Sequence, residues 1–173
     1  MTRWLLPFLA LSASAPWAGP ALAAPPVSVS GAKPTASVKV LRPLSLAVRR
    51  NLVFGDIVMG TLTGPELVGV TSAGRSCGTS GQLTCSGTFS TAQFRVNGSN
   101  NQIVLISLAS PVVTMSGSNG GTLLMTPILP TQVMLDNSGN PGADFEMGGS
   151  FTITPTTPEG RYTGTVDVLV IYQ

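Results

Sequence analysis

The sequence predicts an all-β protein, a single β-sandwich of eight or nine short strands, on three observations. Apolar residues recur at every second position in several short runs, and no apolar pattern of helical period persists for three turns. Clusters rich in Gly, Pro, Ser and Asn separate those runs at short intervals, the signature of turns between strands. Charged residues are only 9% of the 173 residues while 43% are hydrophobic, ample for one core. A chain of this length is expected to form one domain.

The amino-terminal residues 1–23 read as a cleaved signal peptide. Arg3 precedes the apolar run Trp4-Leu5-Leu6-Pro7-Phe8-Leu9-Ala10-Leu11, and Ala21-Leu22-Ala23 supplies a small-x-small cleavage pattern, with the cut after Ala23 or Ala24. A membrane anchor needs about 20 consecutive apolar residues, and Ser12, Ser14, Pro16 and Pro20 interrupt this run. The mature chain is therefore expected to be exported and soluble, or assembled outside the inner membrane, with no membrane span of its own. Without Arg3 it carries eight Lys/Arg against seven Asp/Glu. That balance, with Arg49-Arg50 the densest basic patch, offers no electrostatic footprint for nucleic acid. Low charge also suits a protein that works assembled.

Residues 24–35 read as an N-terminal arm, either flexible or a strand awaiting a partner, with Val27 and Val29 on one face. Ordered structure is expected over residues 36–173. Val38 and Val40 alternate with Ser37 and Lys39, Pro43 interrupts, and Leu44, Leu46 and Val48 resume on the same face. A proline there implies an edge or a bulge, or a strand passing between two sheets. Leu52, Phe54 and Ile57 are expected in the core, with Gly55 permitting a bend. Glu66–Thr71 is a short strand. In Phe89–Val96, Phe89, Thr91, Gln93 and Arg95 share one face and Ala92, Phe94 and Val96 the other, and the cluster Asn97–Asn101 predicts a hairpin into Gln102–Leu108. Val112–Met115, Thr122–Thr126 and Val133–Leu135 are shorter strands. Phe145–Thr154 is longer, with Phe145, Met147, Phe151 and Ile153 facing inward.

The terminal stretch Gly160–Gln173 organises the rest. Tyr162, Gly164, Val166, Val168, Val170 and Tyr172 form a period-two row on one strand face. A long apolar strand that exposes its N–H and C=O groups along one edge is a template for strand addition.

Cys77 and Cys85 are the only cysteines and lie in one glycine-rich segment. In an exported chain they are expected to form one local disulfide that staples a loop. A metal site is poorly supported: the chain has no histidine, and two thiols make an incomplete ligand set. Without histidine there is also no Ser-His-Asp or Cys-His arrangement, so no enzyme, catalytic residue or cofactor is expected. Asp144 and Glu146 are two apart and could share a strand face as an acid/base pair, but solvated charges beside a turn are the reading the segment favours. Asp136, Ser138, Asn140 and Asp144 offer oxygen ligands, but the segment lacks the glycine and glutamate of a calcium loop.

The terminal stretch resembles the last strand of bacterial pilus subunits assembled by the chaperone–usher pathway. Those subunits carry a penultimate tyrosine, here Tyr172, and a glycine fourteen residues from the end, here Gly160. Pro158-Glu-Gly-Arg-Tyr-Thr-Gly164 with the Val-x-Val-x-Val-x-Tyr that follows, together with Leu52-Val-Phe-Gly-Asp56, resembles more closely an uncharacterised group of fimbrial-like domains of Gram-negative bacteria. The resemblance implies an immunoglobulin-like sandwich lacking its last strand. It further implies a groove beside Gly160, Tyr162, Gly164, Val166, Val168, Val170 and Tyr172 that a periplasmic chaperone fills first. The donor strand of another fibre subunit, carrying Val27 and Val29 or Val38 and Val40, then replaces the chaperone at an outer-membrane usher. The family often has a disulfide near its first strand, and this chain departs from it with cysteines only at 77 and 85. The alternative is a monomeric secreted or periplasmic binding module completed by its own arm.

Overall fold

The structure, a computed structural model, describes residues 31, 33–136 and 142–173. The chain divides into two units, Met1–Val38 and Lys39–Gln173. The described residues of the first unit carry no regular secondary structure and are exposed. The second unit is all-β and sandwich-like, with no helix among its described residues.

Its strands are β1 Ser45–Arg50, β2 Asp56–Met59, β3 Glu66–Thr71, β4 Gly74–Cys77, β5 Leu83–Ser86, β6 Ala92–Asn97 and β7 Ile103–Leu108. They continue with β8 Val113–Gly117, β9 Thr122–Ile128, β10 Gln132–Met134, β11 Gly142–Ile153, β12 Tyr162–Thr163 and β13 Val168–Tyr172. The eight or nine strands expected become thirteen among the described residues, because several runs are broken or paired over only part of their length. Ordered strand begins at Ser45 rather than Ala36, so Pro43 precedes β1 instead of interrupting a strand.

All strand pairing among the described residues is antiparallel. A large sheet runs β1-β6-β11-β9-β8-β12, with β3 and then β4 branching from β11; β10-β7-β13 form a small sheet and β2-β5 a ribbon. The twelve-residue β11 is the spine. Its amino-terminal half pairs with β6, from Gly142↔Asn97 to Met147↔Ala92, and its second half pairs with β3 and β9 around Gly149–Phe151. Phe145, Met147, Phe151 and Ile153 alternate inward along it, as the sequence predicts, and so line two cores on one face.

The first core gathers Leu62, Val68, Leu83, Val113, Met115, Leu123, Met125 and Phe151, with Ile57, Met59 and Tyr162 packed around it. Phe54 meets Phe151 edge-on, ring centroids 4.8 Å apart. The second gathers Phe94, Val96, Val104, Ile106, Leu135, Phe145 and Met147, with Phe94 and Phe145 stacked at 5.2 Å. Leu52 and Val166 touch both cores.

The turn at Asn97–Asn101 makes no hairpin. β6 pairs with β1 and β11 in the large sheet, whereas β7 pairs with β10 and β13 in the small one. The alternation of both strands was legible, but their apolar faces look at each other across the second core instead of lying side by side. Local turn chemistry specifies that the chain reverses, not whether the reversal stays in one sheet.

Candidate functional site: a seam between two strand edges

The terminal stretch divides between the two sheets. Tyr162 and Thr163 pair with Gly117 and Ser116 of β8, whereas Val168–Tyr172 pair with β7 from Val168↔Leu108 to Tyr172↔Val104. Gly164–Asp167 connect the two without belonging to either strand. The row read as one continuous strand therefore keeps its inward alternation but changes sheets. Gly164 takes part through its lack of a side chain, since a Cβ there would come within 3.0 Å of the Thr114 carbonyl and 3.1 Å of Met115. Gly160 enters the stretch at φ +146°, a conformation that favours glycine. The neighbouring Arg161 N–H donates to Ser118 Oγ at 3.0 Å.

Val166, Val168, Val170 and Tyr172 pack half-buried on the second core, while Leu169 and Ile171 face outward, 52% and 60% exposed. Among the described residues, β13 has a backbone partner on one edge only, β7. The strand β1 is likewise paired on one edge only, with β6. Both edges border the second core, because Leu44 and Leu46 pack on it as Val168 and Val170 do. No backbone hydrogen bond among the described residues joins β1 to β13.

Val48 marks how open this seam is. Residues directly opposite in an antiparallel pair put their side chains on the same face. Leu46 lies opposite Val96 and Val48 opposite Phe94, both partners buried, so Val48 stands on the core face. It is nevertheless 60% exposed. A core-face valine at that exposure lies on an apolar wall that nothing in the described chain covers.

One end of the seam is closed. The Tyr172 hydroxyl donates to the Arg42 carbonyl at 2.7 Å and accepts from the Ser99 N–H at 2.8 Å. The Arg42 N–H donates to Ser99 Oγ at 2.7 Å, and Lys39 Nζ reaches Gln102 Oε1 at 2.6 Å. The chain entering β1 is thus tied across the β6–β7 turn, beyond the end of β13. Arg42, Ser99 and the wall residues Leu44, Leu46 and Val48 were not assigned to the site from sequence. The alternation of the three apolar residues was visible, but nothing in it indicates which neighbour they lack.

Val38 and Val40, proposed as donor residues, are 89% and 87% exposed and lie outside any strand. Val27 and Val29 lie outside the described residues, as does the middle of the Asp136–Asp144 segment. Asp144 and Glu146 sit on the outer face of β11, in its first five residues. Each faces an arginine, with Asp144 3.0 Å from Arg95 and Glu146 3.2 Å from Arg50. The Thr91 hydroxyl donates to Glu146 at 3.0 Å and accepts from Arg50. These are cross-strand ion pairs. Among the described residues no three His, Cys, Asp or Glu come together, and no helix is long and apolar enough to cross a membrane.

Cys77 and Cys85 form a disulfide with Cα atoms 6.0 Å apart. It does more than staple a loop, because Cys77 ends β4 of the large sheet and Cys85 lies in β5 of the ribbon. Beside it Glu66, 8% exposed, accepts the Thr79 N–H at 2.8 Å. The Ser80 hydroxyl and that Thr79 N–H hold the Glu66 carboxyl below the ordinary carboxylate range, against desolvation. A depressed folded-state pKa contributes stability above the unfolded value and loses it as pH falls through the lower folded one. Glu66→Gln is therefore expected to flatten the acid limb of stability. Urea midpoints of the two proteins should differ most near about pH 7 and converge near about pH 2; a constant difference across that range would remove Glu66 from the acid response.

A family profile described as "Domain of unknown function (DUF4402)" matches residues 44–172. The chain belongs to this family. The DUF4402 domain thus contains both walls of the seam, from Leu44 in front of β1 to Tyr172 in β13. No curated protein and no solved structure matches the chain.

Proposed function

We propose that the protein is an exported structural subunit of a pilus- or fimbria-like surface fibre, in which the seam between β1 and β13 accepts a β-strand from another subunit. The observation that carries this reading is the core-face Val48 at 60% exposure, beside two edges with no backbone partner among the described residues. A strand laid there would bond both edges with its main chain and place alternate side chains against Leu44, Leu46, Val48, Val168 and Val170. Subunits joined head to tail in this way do not close and so extend a filament. The donor is the arm of residues 24–35, with Val27 and Val29 as its apolar side chains. Val40 is a poor donor, because the chain two residues later is fixed by Ser99 and Tyr172. Before assembly a periplasmic chaperone occupies the groove, and an outer-membrane usher exchanges it for the next subunit. The role is structural and involves no catalysis or cofactor.

The test is to export the chain to the periplasm with and without residues 24–35 and measure mass by light scattering. A ladder of polymers, or a stable chaperone complex, that changes when the arm is deleted supports strand donation. A stable monomer from both versions overturns the fibre reading and favours a secreted binding module instead.

A further inference from the structure

The ribbon β2–β5 is attached to the rest of the domain differently from every other strand pair. It pairs only with itself, from Asp56↔Ser86 to Met59↔Leu83, and has no ladder to either sheet. It nonetheless covers the first core, burying Leu83 and packing Ile57 and Met59 on the cluster around Phe151 and Val68. At its base Val53 and Ser90 exchange two backbone bonds of 2.9 Å, and Ser90 Oγ donates to the Asn51 carbonyl. Along its length the polar ties to the large sheet come from Arg75 of β4, which donates to the carbonyls of Phe54 at 3.1 Å and Ser86 at 2.7 Å. The covalent tie is Cys77–Cys85, from the last residue of β4 to the middle of β5.

We infer that the ribbon is a strap over the first core whose closure depends on the redox state of Cys77–Cys85. Both cysteines are only half-buried, so a small dithiol reaches a sulfur. Its thiolate attacks one sulfur of the pair to give a mixed disulfide, and its second thiol displaces the remaining protein thiolate. Cys77 and Cys85 leave as two thiols, having taken up two electrons and two protons, and the reductant becomes a disulfide. The loop 78–84 then regains its freedom and the ribbon swings on its base at Val53 and Ser90. Opening uncovers Val68, Met115 and Phe151 while the packing of the second core against β7 and β13 is unchanged. The inference is independent of the fibre reading.

Hydrogen exchange on the full mature chain, oxidised and in dithiothreitol, tests this by mass spectrometry. Reduction is expected to speed exchange of residues 56–63 and 79–86 by about 30- to 100-fold, the effect of releasing a loop of this length. Amides of β6, β7 and the first half of β11 should change by less than about 2-fold. The double variant Cys77→Ser, Cys85→Ser should reproduce the pattern without reductant. Acceleration throughout the domain, or failure of the variant to fold while the oxidised chain does, would make the bond a support of the whole fold and overturn the strap. Unchanged exchange in the ribbon after reduction would overturn it equally.

Discussion

Gly148→Ala is expected to destabilise the domain by about 3 kcal/mol, the upper range for forcing atoms into a packed interior. Gly148 lies where β11 passes from its pairing with β6 to its pairing with β3 and β9. A Cβ there would press on the Val70 carbonyl and stand 3.2 Å from Thr71 Cα. Those are backbone atoms of β3, held in register by both β11 and β4, so they cannot yield as a flexible side chain would. The next residue offers no slack, since a Cβ on Gly149 would meet Met125 Sδ at 3.0 Å and Leu52 at 3.2 Å. Gly64→Ala is the control, because nothing lies within 4 Å of its Cβ position. It should stay within about 0.5 kcal/mol of the parent. Urea unfolding with an unchanged slope would report the difference. Equal midpoints for the two variants would mean that β3 does not approach β11 as closely as described.

Val48→Asp should separate folding from assembly. The valine is 60% exposed in the single chain, so its loss removes little packing, and the poorer strand propensity of aspartate costs about 1 kcal/mol or less. Under a donated strand the same side chain would be enclosed on the core face against Phe94 and Leu46. An unpaired buried carboxylate costs several kcal/mol, so capture of a peptide of residues 24–35 should weaken by about 100-fold or more. Val58→Asp is the matching control: Val58 is 61% exposed, but it lies on the outer face of the ribbon away from the seam. It should leave peptide binding unchanged. Equal effects of the two substitutions would show that exposure alone, not position on the seam, governs binding.

Much of this fold is written in period-two patterns. Ala92, Phe94 and Val96 are buried as their alternation requires, and so are Phe145, Met147, Phe151 and Ile153. The pattern reports which face of a strand is apolar, because successive side chains point to opposite sides whatever the strand pairs with. It does not report the partner. Asn97–Asn101 therefore read as a hairpin although β6 and β7 belong to different sheets. Gly160–Tyr172 read as one strand although β12 and β13 do too. Half of the candidate site was legible for the same reason. Val166, Val168, Val170 and Tyr172 announced an inward row, but the opposite wall at Leu44, Leu46 and Val48 became part of the site only once the β1 and β13 edges bordered one core.

By itself, then, the sequence determined the class, the inward residues of β11 and of the terminal row, and the disulfide, since local alternation and the presence of only two cysteines suffice for these. The tertiary structure decided which edges remain without a strand. That depends on pairings between residues far apart in the chain, such as Val48 with Phe94 and Tyr172 with Val104, and on the Arg42–Tyr172 contact that closes one end. Backbone hydrogen-bonding groups are the same at every residue, so which of them find partners is settled by topology and not by the identity of the side chains.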